Sequence, residues 1–413
     1  MEDRRRLLQD LFHAAVAAVD ARERVRKALV ASRQNVAGKT PIEVLALGKA
    51  ATGMTQGALD VLGDHMARGL IITTSGNDKP DLPPHIEFRQ AGHPIPDNRS
   101  FEAGHRLLTF LKESPPQVEY LFLISGGTSA LVEAPAQGIA REEIIKLNRW
   151  LLGSGLDIRT TNAIRKAVSS IKGGGLLNRI RDHHTTALYI SDVRGDHIAD
   201  IGSGPLGPVE SLPLPPLPVW VSTLITKATP SAPMVADGQI DRTIIASVGD
   251  AITGAAAETE RRALKAFIRE QRLQGEAEQA GADLAKQLLE APPGIHIWGG
   301  ETVVQLPPNP GRGGRNQSLA LAAAIELDGD HDITLLAAGT DGKDGPGNAA
   351  GAIIDGGTIA RGRAAGHDAK QALTHADAGT FLEASDDLLC TGPTGTNVTD
   401  VVIALKSSAY ARF

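Results

Sequence analysis

Cysteine is nearly absent. The chain of 413 residues has one, Cys390, so it closes no internal disulfide and builds no cysteine-rich zinc site. Beside Leu388 and Leu389, this cysteine reads as a small buried residue. Aromatic residues make up only 3%, which leaves little material for stacking bases or sugars. Positive charge shows no excess: 42 Lys and Arg stand against 48 Asp and Glu, for a net charge of −6. A duplex binder concentrates basic residues on one surface, so no nucleic-acid partner is expected. No apolar run approaches a membrane span, and no membrane partner is expected either. Arg4 to Arg6 are followed by Asp10, His13 and Asp20 instead of an apolar core. That reads as neither an export leader nor a transit peptide, and the expected location is cytoplasmic.

What the chain has in excess is glycine: 45 residues, about 11% where about 7% is usual. With 42% apolar and 22% charged residues the composition is that of a folded protein, and the length suits about two or three domains.

Apolar positions at helical spacing (Leu7, Leu11, Val16, Val19, Val25, Leu29) predict one long amphipathic helix over residues 4–30. Short β-rich runs then alternate with helical patterns. Strands are expected at Ile42–Leu47, Leu70–Thr73, Ile86–Phe88, Tyr120–Ile124 and Ala187–Ser191, and helices at Ala50–Leu62, Phe101–Leu111 and Ile158–Ile171. Eight prolines between Pro205 and Pro233 mark a surface connector, because proline fixes φ and removes a backbone donor. Alternation resumes with strands at Thr243–Ser247, Ile295–Trp298, Ile333–Ala337 and Val401–Leu405, and helices from Ala251 and over Gln317–Leu327. The expected fold is α/β with two domains joined near residue 235: residues 1–235, with a mostly parallel sheet, and residues 236–413.

Several glycine clusters follow predicted strands, where open parallel sheets bind ligands and where glycine lets backbone N–H groups approach an anion. Lys49, in Gly48-Lys49-Ala50-Ala51, opens a helix whose dipole disfavours a cation there; either an anion neutralises it or it is a solvated surface lysine. Ser125-Gly126-Gly127-Thr128-Ser129 suits a cradle for phosphate or carboxylate oxygens, against a plain tight turn. G-x-S-x-G is not satisfied there. Asp192 and Asp196 follow one strand, and Asp341 and Asp344 another, a spacing able to hold Mg²⁺ through one or two oxygens, although Asp-Gly is also ordinary turn chemistry. Gly311 to Gln317, with Gly313, Gly314, Arg315 and Asn316, combines a guanidinium fork with glycines ahead of a helix. No P-loop signature occurs. The one literal G-x-G-x-x-G, Gly202 to Gly207, runs into prolines instead of a helix.

In order along the chain, these segments together with Ala91-Gly92-His93-Pro94-Ile95-Pro96-Asp97, Ile171-Lys172-Gly173-Gly174, Ser203-Gly204-Pro205, Gly299-Gly300-Glu301-Thr302 and Thr391 to Asn397 resemble the glycerate 2-kinase family. Its members carry an N-terminal domain of a type long labelled as of unknown function, followed by a MOFRL domain. Many carry the older label of hydroxypyruvate reductase. The resemblance implies a Rossmann-like α/β/α sandwich and a smaller α/β domain, the MOFRL region falling at about 293–405, with the active site in the cleft between the domains. It implies ATP-dependent phosphorylation of D-glycerate to 2-phosphoglycerate with a divalent metal, and it carries active-site roles to Lys49 and Arg315. The chain departs from the family pattern at Thr160 and Thr161, at Ser318, and in the proline segment.

These readings combine into definite expectations. Lys49 serves the transferring phosphoryl group and Arg315 a carboxylate or phosphate. Asp192 is a metal ligand or general base, and Asp341 a second metal ligand. Ser125, Gly126, Gly127, Thr128, Ser129, Gly313, Gly314 and Asn316 line the substrate and phosphates. ATP and Mg²⁺ are the expected cofactors, glycerate the partner, and a monomer or homodimer the assembly. The alternatives are an NAD(P)H-dependent hydroxypyruvate reductase, disfavoured by the missing dinucleotide fingerprint, or phosphorylation at the 3-position.

Overall fold

The computed structural model describes residues 2–32, 40–75, 81–208, 213–228 and 240–407. It divides into two compact units, one of residues 21–246 and one of residues 1–20 with 247–413. The junction expected near residue 235 lies outside the described residues.

In the first unit six strands form one sheet: β1 (Ile42–Leu47), β2 (Met66–Thr74), β3 (Ile86–Ala91), β4 (Glu119–Ile124), β5 (Thr185–Ile190) and β6 (Ile240–Ala246). Their order is β3-β2-β1-β4-β5-β6, and every pairing is parallel. This is the Rossmann order. All six residues of β1 are buried, as a strand covered on both faces requires. The core includes Leu45, Leu47, Leu70, Phe122, Ile124 and Tyr189. Helix Asn98–Glu113 begins with a capping box in which Asp97 and Ser100 satisfy each other's backbone N–H.

Three expectations need correction here. The long opening helix is two, Glu2–Ala18 and Ala21–Ala31, and they belong to different units. The helix expected to reach Ile171 stops at Ala167, because Ser169 bridges to Pro135 and the Ser170 N–H donates to the Ala134 carbonyl at 2.8 Å. The proline segment is more than a connector. Helix Val219–Lys227 follows Pro218 directly and buries Val221 and Leu224 against Phe101, Ile144 and Ile164.

The second sheet contains β7 (Ala266–Ile268), β8 (Gly294–Gly300), β9 (Ile333–Gly339), β10 (Gly351–Asp355), β11 (Leu388–Leu389) and β12 (Asp400–Lys406), in the order β11-β10-β9-β12-β8-β7. Only β7 and β8 pair in parallel; the other pairs are antiparallel. Two of these pairs arise from β12, which inserts between β8 and β9 running against both, and the other two from β10, which runs against β9 and β11. Helix Arg315–Glu326 buries every residue from Asn316 to Ala324, and its alanines let it lie close against Ala277–Glu290, where Gly281 leaves room for the Leu319 carbonyl. Cys390 is exposed rather than buried, since β11 ends one residue before it.

The expectation of an α/β protein with a Rossmann-like, mostly parallel sheet and a second α/β sheet is borne out.

Candidate active site

In the first sheet the strand order reverses between β1 and β4, and a doubly wound sheet binds ligands at the carboxyl ends of those two strands. The segments leaving them are Gly48-Lys49-Ala50 and Ser125 to Ser129. Lys49 N–H donates to the Gly126 carbonyl at 2.9 Å, and Ala50 N–H to Ser125 Oγ at 3.1 Å, so the two turns are locked into one structure. Gly48, at φ +118, has no space for a side chain: a Cβ would stand 2.3 Å from Ser125 Oγ and 2.5 Å from the Ser125 carbonyl oxygen. Gly127, at φ +85, lies beneath the stem of Lys49 and the ring of His93, both close to the place a Cβ would take. Lys49 itself is half-buried and sits just before helix Ala51–Leu62.

Asp192 leaves the neighbouring strand, two residues beyond the end of β5, and is half-buried. Behind the Ser125–Ser129 turn runs a chain of polar contacts. Ser129 Oγ and Ser203 Oγ lie 2.9 Å apart, Ser203 Oγ donates to Asn162 Oδ1 at 3.1 Å, and Lys166 Nζ lies 3.6 Å from Asp200. Ser203 is buried at φ +62, between Gly202 and Gly204 in the same left-handed region. The literal G-x-G-x-x-G is therefore a left-handed turn that braces a loop. Lys172 is buried in an ion pair with Glu133, whose other oxygen accepts from Ser169 Oγ at 2.7 Å.

In the second unit the ends of β8 and β9 and the start of β12 share one sheet edge, with Asp400 opposite both Gly300 and Gly339. Arg315 is the first residue of its helix. Its Nε and Nη2 donate to the two oxygens of Asp400 at 2.5 and 2.9 Å, and its Nη1 lies 2.6 Å from Glu301 Oε1. Burial opposes the charge on Arg315, but the Asp400 and Glu301 carboxylates outweigh it and hold the guanidinium above its ordinary pKa. Asp344 occupies the helix N-terminus: its carboxylate accepts from the backbone N–H of Asn316 at 3.1 Å and of Gln317 at 2.9 Å. The donors that the sequence offered to a ligand at Asn316 therefore serve an internal carboxylate, and Gly314 is glycine because a Cβ would meet Asp344 at 2.3 Å. Burial, then the like charge of Asp400, pushes the Asp344 carboxyl up to about 6 despite those hydrogen bonds. Asp341 lies at the same edge: its Oδ1 accepts from Lys343 N–H at 3.1 Å, and it and Asp400 both approach Gly339.

The structure thus brings Lys49 together with Ser125, Gly126, Gly127, Thr128 and Ser129. Separately it brings Arg315 together with Gly313, Gly314, Asn316 and Asp341. Sequence reasoning missed Asp400 and gave Glu301 no role. The usable signal was an aspartate opening an otherwise apolar strand, where a buried charge needs a partner. Among the described residues no three His, Cys, Asp or Glu side chains converge on one metal position. A magnesium ion that keeps most of its water or phosphate ligands needs only one or two carboxylates; Asp192 and Asp341 are each half-buried.

Residues 7–232 match the family model described as a domain of unknown function, DUF4147, and residues 294–400 match the MOFRL family. The D-glycerate 2-kinase of Thermotoga maritima is 37% identical over 380 residues, covering 88% of this chain and 90% of that one. The glycerate 2-kinase of Pyrococcus horikoshii is 34% identical over 398 residues, covering 91% and 89%. A crystal structure of glycerate kinase from Thermotoga maritima superposes with a TM-score of 0.83 at 34% identity, over 98% of this chain and all of that one. The chain belongs to the glycerate 2-kinase family. Within that family frame, the DUF4147 match spans the Lys49 and Ser125–Ser129 turns, and the MOFRL match runs from the first residue of β8 to Asp400, enclosing Arg315, Asp341 and Asp344. No helix among the described residues is long and apolar enough to cross a membrane.

Proposed function

We propose that this chain transfers the γ-phosphoryl group of ATP to the 2-hydroxyl of D-glycerate, giving 2-phosphoglycerate and ADP. The observation that carries the reading is the locked pair of turns at the switch point, which presents Lys49 beside glycine and hydroxyl groups in a chain of this family. Phosphoryl transfer asks a protein for positioning and charge neutralisation. Lys49 neutralises charge on the transferring group, and the Ser125–Ser129 turn fixes the lysine stem from below. Asp192 accepts the proton that leaves the C2 hydroxyl as its oxygen bonds to Pγ and the bond from Pγ to ADP breaks. Arg315 holds a carboxylate or a phosphate. Mg²⁺, held by Asp192 or Asp341 together with phosphate oxygens, would shield the negative charge between the phosphates. We place the protein in the cytoplasm.

The test is incubation with D-glycerate, ATP and Mg²⁺, followed by ³¹P NMR. ADP and 2-phosphoglycerate should appear together. The 3-isomer would overturn the position of transfer, and consumption of NADH with hydroxypyruvate in place of ATP turnover would overturn the kinase reading.

A further inference from the structure

Arg315 meets two carboxylates of opposite character. Asp400 closes the Nε–Nη2 edge of the guanidinium with two hydrogen bonds, and its side chain is 2% exposed, whereas that of Glu301 is 49% exposed. The Asp400 pair is permanent, because without Arg315 the buried Asp400 carboxylate would be stranded away from water. The exposed pair is weak and screened by salt. An arriving carboxylate or phosphate finds the side edge of Arg315 closed and takes the Nη1–Nη2 end, the usual alternative for a two-oxygen anion on a guanidinium. Glu301 Oε1 lies 2.6 Å from Nη1, one of the two nitrogens of that end.

Thr302, Asn316 and Thr399 follow or precede the three charged residues in the chain, and each is more than nine-tenths buried. Among the described residues Thr302 Oγ1, Asn316 Oδ1 and Thr399 Oγ1 have no hydrogen-bond partner, so each is a buried polar atom left unsatisfied. Thr399 is also held at φ +75, a left-handed conformation that a β-branched residue adopts only under constraint.

We propose that Glu301 is an internal stand-in for the ligand anion: it holds the open end of Arg315 until a carboxylate or phosphate oxygen displaces it into solvent. The exchange leaves the charge facing the guanidinium unchanged, and so the site can carry several carboxylates and still bind an anion. Glu301 competes with the ligand and takes no part in the chemical step. The inference rests on the reading of Arg315 as an anion-binding residue. The anion is either the glycerate carboxylate or a nucleotide phosphate.

The experiment compares the full-length wild type, Glu301→Gln, Glu301→Ala and Arg315→Lys, with KM for ATP and for D-glycerate measured separately. Both Glu301 variants should lower one of the two KM values about two- to fivefold, with kcat within about twofold and the other KM unchanged. The KM that falls identifies the anion on Arg315. The gain should fade at about 0.5 M salt, where the exposed competitor is screened in the wild type. Unchanged or raised KM values, or a kcat loss of about tenfold or more, overturn the stand-in role. Arg315→Lys should raise the same KM. If Arg315→Lys turns over normally with both KM values intact, it is the Arg315 reading that fails; if it is impaired while the Glu301 variants gain nothing, only the present inference fails.

Discussion

Lys49 is half-buried at the junction of two turns that hydrogen-bond each other, so its loss removes charge without removing core. Lys49→Met should lower kcat by at least about a hundredfold, the usual effect of deleting one positioned electrostatic group. The thermal midpoint should stay within a few degrees, as read by circular dichroism. Normal turnover would remove Lys49 from the reaction. Gly48→Ala is the complementary substitution: its Cβ meets backbone as well as a side chain, and the φ of +118 is foreign to alanine. We expect a stability loss of at least about 2 kcal/mol in urea titration, with kcat/KM falling because the turn carrying Lys49 must shift. At this scale the sequence was readable where candidate residues sat in glycine turns, which is why Lys49, Ser125 and Arg315 stood out. It was unreadable where a residue acts by pairing across the fold. Glu301 and Asp400 are separated from each other by about a hundred residues, and only the sheet register puts both beside Arg315.

Among the elements, the helix Arg315–Glu326 holds at its N-terminus both a structural cap and the residue proposed to bind an anion. Asp344 caps it with a carboxyl that titrates near pH 6, against 3.8 for the free group. Between those values the native state binds the proton and the unfolded state does not. The associated stability is therefore fully present below about pH 3.8, falls as pH rises through about 6, and is constant above. The shift corresponds to about 3 kcal/mol. Asp344→Asn loses one of the two side-chain oxygens that accept from the backbone N–H groups of Asn316 and Gln317 and has no proton to release. The difference in unfolding free energy, wild type minus variant, should fall by roughly that amount between pH 4 and pH 7; a flat difference would show that Asp344 is ionised throughout. Strands were the legible elements, because apolar runs such as Ile42–Leu47 and Ile333–Ala337 are buried on both faces. Helix Val219–Lys227 was hidden by its proline surroundings, although Pro218 just ahead of a helix is favourable. The antiparallel β10 was missed because Gly351 to Asp355 is short and flanked by glycine.

At the scale of the whole chain, the first helix folds with residues that lie more than two hundred positions away. Glu2–Ala18 buries Leu8, Leu11, Phe12 and Ala15 and packs in the unit that contains residues 247–413. Arg5 anchors it: the guanidinium pairs with Asp355 at 2.8 Å and also with Asp387, whose side chain is fully buried. Burial raises the pKa of Asp355, but hydrogen bonds from Arg361 and Arg5 prevail and bring it down to about 2. No local pattern could reveal this placement, since residues 4–30 have one continuous helical periodicity and the break at residues 19–20 is set by tertiary packing. Removing residues 1–20 from the full chain would expose the surface that covers Leu8, Leu11 and Phe12, at about 1.5 to 3 kcal/mol for each large side chain. The sum rivals the stability of a typical domain. The truncated chain should therefore lose structure in residues 247–413 first. Trp298, 1% exposed in that unit, reports the event. With Trp150 and Trp220 replaced by Phe, truncation should red-shift the remaining fluorescence at 25 °C, while circular dichroism retains the signal of the other sheet. Arg5→Ala is the milder form of the same experiment: it strands the buried Asp387 with Arg361 as its remaining ion pair and should lower the melting temperature of that unit. Trp298 emission that stays blue in the truncated chain would mean that residues 247–413 are stable without the helix, and that its burial there is a consequence of folding and not a requirement for it.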